Sequence, residues 1–204
     1  MIKLLFLADR SLVETRPEYR YAIVNQALRN FTFGFTDHTI IDEFWWSSDP
    51  EEVLKKLKVT DIPLFWKSYN RQDTPDFRKQ LTKPYPDVDE LEQARKKKII
   101  LILLAHDYKE LASASLEKLP KLDDVICIPR DTPDYEKKIE EAIQGALKKR
   151  AVKAIEALMV SNLQEDLEAA EKNHIKSIYI ERKGVPPLKR KEKIKNLSEI
   201  KSFL

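Results

Sequence analysis

Short runs of apolar residues occur at the start of the chain and recur through its second half. Each run is four to seven residues long, and most are continuously apolar, as in strands buried on both faces of a parallel sheet. The predicted strands are Ile2–Ala8, Ile99–Ala105, Val125–Pro129, Ala157–Val160 and Ser177–Ile180.

Helical patterns alternate with the later strands. The predicted helices are Val88–Lys98, with Asp87 as its N-cap, Tyr108–Lys118, Tyr135–Arg150 and Leu163–Asn173. Such alternation implies βαβ units with right-handed crossovers. The predicted fold is therefore α/β, with a three-layer, Rossmann-like parallel sheet.

The first two predicted strands are separated by a far longer segment than the others. We expect residues 16–84 to form a helical insert with its own packing, and residues 1–15 and 85–204 to form the α/β core. Tyr19–Phe31 and Pro50–Lys58 are predicted helices of the insert. Most aromatic residues of the chain, including all three tryptophans, lie in it. They form either the core of a small helical bundle or the lining of a cleft facing the sheet.

The amino-acid composition indicates the compartment in which the protein works. No stretch approaches the ~20 apolar residues that span a membrane. The single cysteine, Cys127, lies in an apolar run and is predicted to be a buried core side chain. A lone thiol suits a reducing compartment, so we expect a cytoplasmic protein.

Charged residues make up 35% of the chain. This is above the roughly 25% of average domains and resembles thermophile composition.

One segment is strongly basic. Residues 182–195 hold seven basic residues and one acid, against a net charge of +3 for the whole chain. No aromatic side chain interleaves with these charges, so a stacking platform for bases is missing. We expect an exposed, solvated segment that binds nucleic acid weakly at most.

The chain has only three glycines, Gly34, Gly145 and Gly184, so no Gly-rich phosphate loop is present.

Four segments resemble the motifs of one family, the haloacid dehalogenase (HAD) superfamily. FLADRSLVET, from Phe6 to Thr15, resembles a strand followed by D-x-D-G-T-L-V-x-T. In this alignment Leu7 stands at the nucleophilic aspartate, Asp9 at the second aspartate and Ser11 at the threonine. Arg10 replaces the glycine.

The other three segments follow in the order that the family shows. The strand IILILLAHD places Ala105 at the motif's Ser/Thr, with His106 and Asp107 next. Arg130, before DTPDY, is the nearest match to the family's lysine. EALMVSNLQEDLEAA resembles E-A-L-M-V-G-D followed by a second acid, with Asn162 at the first acid and Asp166 at the second.

The resemblance implies a chemistry that this chain has lost in part. In the family, the first aspartate attacks phosphorus, the second acts as acid and base, and Mg²⁺ lies between the nucleophile and the fourth motif. Leu7 has no oxygen for attack or for metal binding, and Ala105 cannot donate a hydrogen bond. We therefore expect a catalytically degenerate, HAD-like protein, a pseudoenzyme with a helical cap, that needs no cofactor.

An alternative keeps the activity. A divergent, phosphatase-like hydrolase would use Asp9 and Asp166 as catalytic residues, with Mg²⁺ as cofactor. In either case, a ligand should lie between cap and core at the carboxyl ends of the strands. The expected ligand-binding residues are Ser11, His106, Asp107, Arg130 and Asn162. The partner is expected to be a small molecule or a protein, and the sequence does not say which.

Overall fold

The computed structural model describes residues 1–31 and 36–204, which leaves Gly34 outside the described residues. Its centre is a six-stranded parallel sheet. The strands are β1 (Leu4–Ala8), β4 (Ile100–Ala105), β5 (Asp124–Cys127), β6 (Ala157–Ser161), β7 (Lys176–Ile180) and β8 (Lys193–Ile194). Their order in the sheet is β5-β4-β1-β6-β7-β8. The predicted α/β fold is confirmed.

Helices cover both faces of the sheet, because its strands alternate apolar side chains toward two separate clusters. Leu5 and Leu7 belong to one cluster, while Leu4 and Phe6 belong to the other. The helices around the sheet are α1 (Asp9–Leu12), α7 (Leu91–Lys96), α8 (Lys109–Leu116), α9 (Tyr135–Arg150) and α10 (Gln164–Lys172). Short 3₁₀ helices span Val88–Glu90, Ala154–Glu156 and Leu197–Ser202.

The long segment between β1 and β4 is helical. A two-stranded antiparallel ribbon, β2 (Val13–Thr15) and β3 (Thr82–Pro84), joins its two ends to the sheet. Between them lie α2 (Pro17–Leu28), α3 (His38–Trp46), α4 (Pro50–Lys56), α5 (Ile62–Gln72) and α6 (Pro75–Leu81). The boundaries predicted for two domains stay a prediction, and we call residues 16–84 the insert.

Aromatic rings hold the insert together. Phe44, Phe65 and Tyr69 are buried and pack edge-on or tilted against one another. Most insert aromatics therefore form a core, which is the first of the two expected arrangements. Trp46 is only half-buried, because three consecutive residues of a helix cannot all point inward.

Three local predictions need correction. Asp87 stands at the N-cap position of the 3₁₀ helix Val88–Glu90, but its carboxylate makes no cap hydrogen bond, because it accepts hydrogen bonds from Arg182 and from the backbone of Leu197. Cys127 is half-buried and not fully buried, since β5 is the edge strand. The basic segment is not uniformly exposed, since it contains β8 and buries Ile194 in the core.

Among the described residues, no helix is long and apolar enough to cross a membrane.

Candidate functional site

The polar residues singled out in the sequence gather at one end of the sheet. β1 lies between β4 and β6, and Leu7 pairs in register with Leu103 and Val160. Because the three strands are parallel, the residues that follow them lie at the same edge. His106 follows β4 and Asn162 follows β6, while Arg130 comes three residues after β5. The predicted convergence at the carboxyl ends of the strands is what the structure describes.

Leu7 itself faces away from polar groups. Its side chain is fully buried in the hydrophobic cluster that contains Leu103, Ala105 and Val160. The position that the resemblance aligns with a nucleophile therefore carries an apolar side chain packed in the core.

His106 links two helices through a buried hydrogen-bonded chain. Its Nε2 lies 3.1 Å from Asp166 Oδ2, and its Nδ1 is hydrogen-bonded to the Tyr135 hydroxyl. Ser161 Oγ donates to the same Asp166 oxygen at 2.7 Å. Burial lowers the pKa of His106, but the Asp166 carboxylate outweighs burial, so the pKa is raised to about 9. An imidazolium that donates from both ring nitrogens matches this geometry.

Two arginines meet the end of an insert helix. Arg10 Nη1 donates to the Trp45 carbonyl oxygen at 2.6 Å, and Arg130 Nη1 donates to the same oxygen at 3.0 Å. Arg130 Nη2 also donates to the Ser47 carbonyl. The Arg10 guanidinium lies over the Trp45 ring, 4.5 Å from its centroid. These contacts hold α3 against the strand ends.

Asp107 is engaged by a buried arginine of the insert. Arg78 Nη2 donates to Asp107 Oδ1 at 2.6 Å and to Asp73 Oδ2 at 2.5 Å. Burial acts to raise the pKa of Asp107, but the Arg78 guanidinium outweighs burial and holds the pKa below its usual value. The Tyr19 hydroxyl completes the cluster by donating to Asp73.

The site also contains three buried polar residues that follow β1 and β6, namely Asp9, Ser11 and Asn162. Asp9 Oδ1 accepts from the Arg10 amide at 2.8 Å, and burial raises the pKa of this carboxyl. Asn162 Nδ2 donates to the Arg10 carbonyl at 3.1 Å. The Ser11 hydroxyl and Asn162 Oδ1 are buried without a hydrogen-bond partner among the described residues.

The space between the insert and the sheet is divided unevenly. Arg10 lines two small cavities of about 10 and about 20 Å³, and a volume of this order admits about one water molecule. His106 and Arg130 line the first, and Asp9 and Arg78 line the second. Arg130 also lines an open cleft of about 690 Å³, whose other wall includes Ser48 of the insert.

The side chains at this edge do not fit the Mg²⁺ that the family usually uses. Mg²⁺ requires several oxygen ligands in octahedral geometry. Leu7 offers no oxygen, Asn162 is neutral, and Asp166 is already paired with His106. Within residues 1–31 and 36–204, no group of three or more His, Cys, Asp or Glu is arranged to hold a metal ion.

Sequence reasoning missed several residues of the site. Tyr135 begins α9 and Glu165 lies in the first turn of α10. Both helices follow strands, and that position could have indicated these two residues. Arg10 could have been found because it replaces a glycine within a motif. No pattern in the sequence indicates Arg78 or Arg182, since Asp107 and the Ser11 carbonyl, which they bind, are distant in sequence. Arg182 donates to the Ser11 carbonyl at 2.8 and 2.6 Å.

Solved structures share the fold across nearly the whole chain. A protein assigned as a haloacid dehalogenase-like hydrolase from Bacteroides fragilis superposes with a TM-score of 0.81 and 14% identity, covering 98% of this chain and 100% of that one. A protein assigned as a phosphoglycolate phosphatase from Lactobacillus plantarum gives a TM-score of 0.79 and 14% identity, with 100% of both chains covered. A hydrolase of the haloacid dehalogenase-like family from Streptococcus pneumoniae gives 0.75 and 13%, covering 99% and 98%.

The sequence itself carries the family signal. No curated protein matches it. The family model described as haloacid dehalogenase-like hydrolase matches residues 4–180, which include the sheet through β7, the insert and the site residues described above except Arg182. This chain therefore belongs to the haloacid dehalogenase-like hydrolase family.

Proposed function

We propose that this chain is a catalytically degenerate member of its family that acts by binding a ligand or partner and not by phosphoryl transfer. The observation that carries the proposal is the Leu7 side chain, which lies fully buried in an apolar cluster at the nucleophile position. Loss of a covalent nucleophile raises a reaction barrier by roughly 5–8 kcal/mol.

The neighbouring groups support the same conclusion. His106 neutralises Asp166 at the place where the family's fourth motif binds its metal. Ala105 has no hydroxyl for a phosphoryl oxygen, and Arg130 is bound to backbone carbonyls of the insert. Apart from Asp9, each group that the mechanism needs is either replaced or already bound to another residue.

A hydrolysis assay tests the proposal. The purified protein, with Mg²⁺ and a generic aryl phosphate, should show no turnover above a buffer control, and Asp9→Asn should change nothing. Leu7→Asp alone should stay inactive, because Ala105 still cannot hold the phosphoryl group. A variant combining Leu7→Asp, Ala105→Ser and Asn162→Asp is the only one of these in which we expect a trace of turnover.

A divergent hydrolase that uses Asp9, Asp166 and Mg²⁺ is the second candidate. Two observations favour it: burial raises the pKa of Asp9, as suits a general acid, and Asp166 Oδ1 is buried without a hydrogen-bond partner. Robust turnover in the unmodified protein that Asp9→Asn abolishes would establish this candidate and remove the first.

The cysteine content supports a proposal for the cellular location of the protein. We place the protein in the cytoplasm, because it has a single cysteine. Its ligand is proposed to be a small molecule or a protein that reaches the carboxyl ends of the strands, between the core and the insert acting as a cap.

A further inference from the structure

Lysines mark the beginning of five strands of the parallel sheet. In each strand from β5 to β7, a lysine either begins the strand or lies within four residues before it. In the order of the strands across the sheet, these residues are Lys121, Lys98, Lys3, Lys153 and Lys176. Because parallel strands begin at the same edge, the lysines form a row along the amino edge of the sheet. Adjacent strands lie about 4.8 Å apart, so the row is roughly 20 Å long.

Backbone hydrogen bonds hold the beginnings of these strands side by side. The Lys3 amide donates to the Glu156 carbonyl at 2.7 Å, and the Ile100 amide donates to the Lys3 carbonyl at 2.9 Å. On the other side of β4, the Asp123 amide donates to the Leu101 carbonyl at 2.9 Å. The segments before four neighbouring strands therefore form one surface. We call residues 1–3, 96–98, 121 and 148–155 the amino-edge face.

The amino-edge face has more positive charge than nearby carboxylates neutralise. Lys3 pairs with Glu156 at 2.6 Å, and Lys149 pairs with Asp124 at 3.0 Å. Six exposed lysines form no ion pair within residues 1–31 and 36–204, namely Lys96, Lys97, Lys98, Lys121, Lys148 and Lys153. Their six charges exceed the net charge of +3 for the whole chain, so positive charge is concentrated on this face.

Helix dipoles explain only part of this arrangement. Lys96 and Lys148 lie in the last turns of α7 and α9, where a positive charge favours the helix. Lys121 and Lys153 lie outside the α-helices. The helix ends therefore do not account for a row of lysines that continues from strand to strand.

Two apolar side chains protrude from the same face. Among the described residues, Met1 and Ile155 are the most exposed large apolar side chains, and Ile155 is 83% exposed. Met1 lies two residues before Lys3, and Ile155 lies directly before Glu156, the partner of Lys3. Single exposed apolar side chains are ordinary. These two lie on either side of one ion pair, in the middle of the lysine row.

We propose that the amino-edge face binds the surface of a bilayer that contains anionic phospholipids. The lysines bind the negatively charged lipid headgroups, and Met1 and Ile155 enter the apolar layer beneath them. A nucleic acid offers negative charge too, but its phosphate backbone has no apolar layer for two aliphatic side chains. The combination of charge and apolar side chains therefore matches a bilayer better.

Docking on this face leaves the candidate functional site open to solution. The site lies at the carboxyl ends of the strands, which is the opposite edge of the sheet from the lysine row. The insert also lies at that opposite edge, so a docked molecule directs the cleft beside Arg130 away from the bilayer. The inference goes beyond the proposed function and holds whether or not the site is catalytically degenerate.

Vesicle sedimentation with the unmodified protein tests the proposal. Vesicles of phosphatidylcholine alone are compared with vesicles that contain about 30% phosphatidylserine, in about 0.1 M sodium chloride. We expect binding to the anionic vesicles to be about tenfold tighter or more, and to be lost when the salt is raised to about 0.5 M. Equal binding to the two kinds of vesicle overturns the proposal.

Two triple variants locate the contact. The first, K96Q/K97Q/K98Q, removes three lysines of the face and should weaken binding to anionic vesicles about tenfold or more. The matched control, K55Q/K58Q/K67Q, removes three exposed lysines of the insert that form no ion pair among the described residues. Lys58 and Lys98 both have a φ of 60°, so each variant changes one residue in the left-handed region. The control should bind as the unmodified protein does, and equal losses in the two variants overturn the proposal.

Ile155→Gln tests the choice of a bilayer over another polyanion. The side chain is largely exposed, so the substitution should leave the free energy of unfolding unchanged within about 0.5 kcal/mol. Binding to the anionic vesicles should fall several-fold, because the apolar contact is lost while the charge stays the same. Unchanged vesicle binding by this variant overturns the bilayer as the partner. Urea unfolding checks that each variant folds, and if one does not, the two kinds of vesicle with the unmodified protein still decide.

Discussion

His106 shows how one buried side chain couples protonation to folding. Its pKa is raised to about 9 from the ordinary 6.5, because Asp166 outweighs the effect of burial. A group whose pKa is higher in the folded state stabilises the fold fully below the unfolded pKa and loses that contribution as the pH rises through the folded pKa. We expect the free energy of unfolding to fall between about pH 6.5 and pH 9.

Two measurements check this prediction. Ring resonances of His106 in NMR spectra should titrate with a midpoint near 9, and urea unfolding should show the loss of stability over the same range. His106→Gln should remove that pH dependence, whereas His174→Gln, at an exposed position, should keep it. A His106 midpoint at or below 6.5 would contradict the expected charge.

Substitutions of Leu7 give a second prediction, which concerns the stability of the fold. Its side chain packs in an apolar cluster, so Leu7→Asp places an ionisable group among apolar side chains. Leu7→Ala should lower the free energy of unfolding by about 2–5 kcal/mol, as buried leucines do. We expect Leu7→Asp to cost more than Leu7→Ala in urea unfolding. Equal or smaller loss would mean that this strand end still accommodates a carboxylate.

Among the elements, the basic segment differs most from its prediction. The sequence predicts a solvated stretch, but its first residue, Arg182, is buried. Arg182 donates to the Ser11 carbonyl and to Asp87 Oδ2, and its guanidinium lies 4.1 Å from the Tyr85 ring centroid. The strand β8 that follows completes the sheet. This arginine therefore links the segment after β7 to helix α1, which follows β1.

Arg182→Gln should be strongly destabilising. It leaves Asp87 as a buried carboxylate without its cation, and breaking such a pair costs about 3–5 kcal/mol. The adjacent Lys183 is exposed, so Lys183→Gln should change stability by less than about 0.5 kcal/mol. Urea unfolding of the two variants gives the comparison. Similar, small effects of both would show that the segment is solvated, as the sequence alone predicts.

For the molecule as a whole, charge limits the range of partners. The net charge is +3, and Arg190 and Lys193 of the basic segment form ion pairs with Glu171 and Glu181. Because the segment has no aromatic side chains for stacking, we expect only non-specific nucleic acid binding, weaker than about 1 μM at physiological salt. Fluorescence polarisation with labelled single strands and duplexes measures it. A submicromolar, sequence-dependent complex would reverse this expectation.

The local pattern of apolar and polar residues in the sequence predicted the α/β architecture. Continuous apolar runs predicted five of the strands, and α9 was predicted with its observed bounds, Tyr135–Arg150. The position of Leu7, Asn162 and Arg130 at one edge also followed, because parallel strands must end together. The order of the motifs along the chain also indicated the family.

Only the tertiary structure decided how the charges at that edge are used. Asn162 reaches the backbone of Arg10, and Arg182 reaches that of Ser11, across separations that no local pattern encodes. The stability of a buried charge depends on which partner meets it after folding, and the sequence lists candidates without pairing them. The sequence thus determined the fold and the absence of a nucleophile at Leu7. The structure decided that Arg10 and Arg130 bind the end of α3, because that contact exists only once the insert has packed on the sheet.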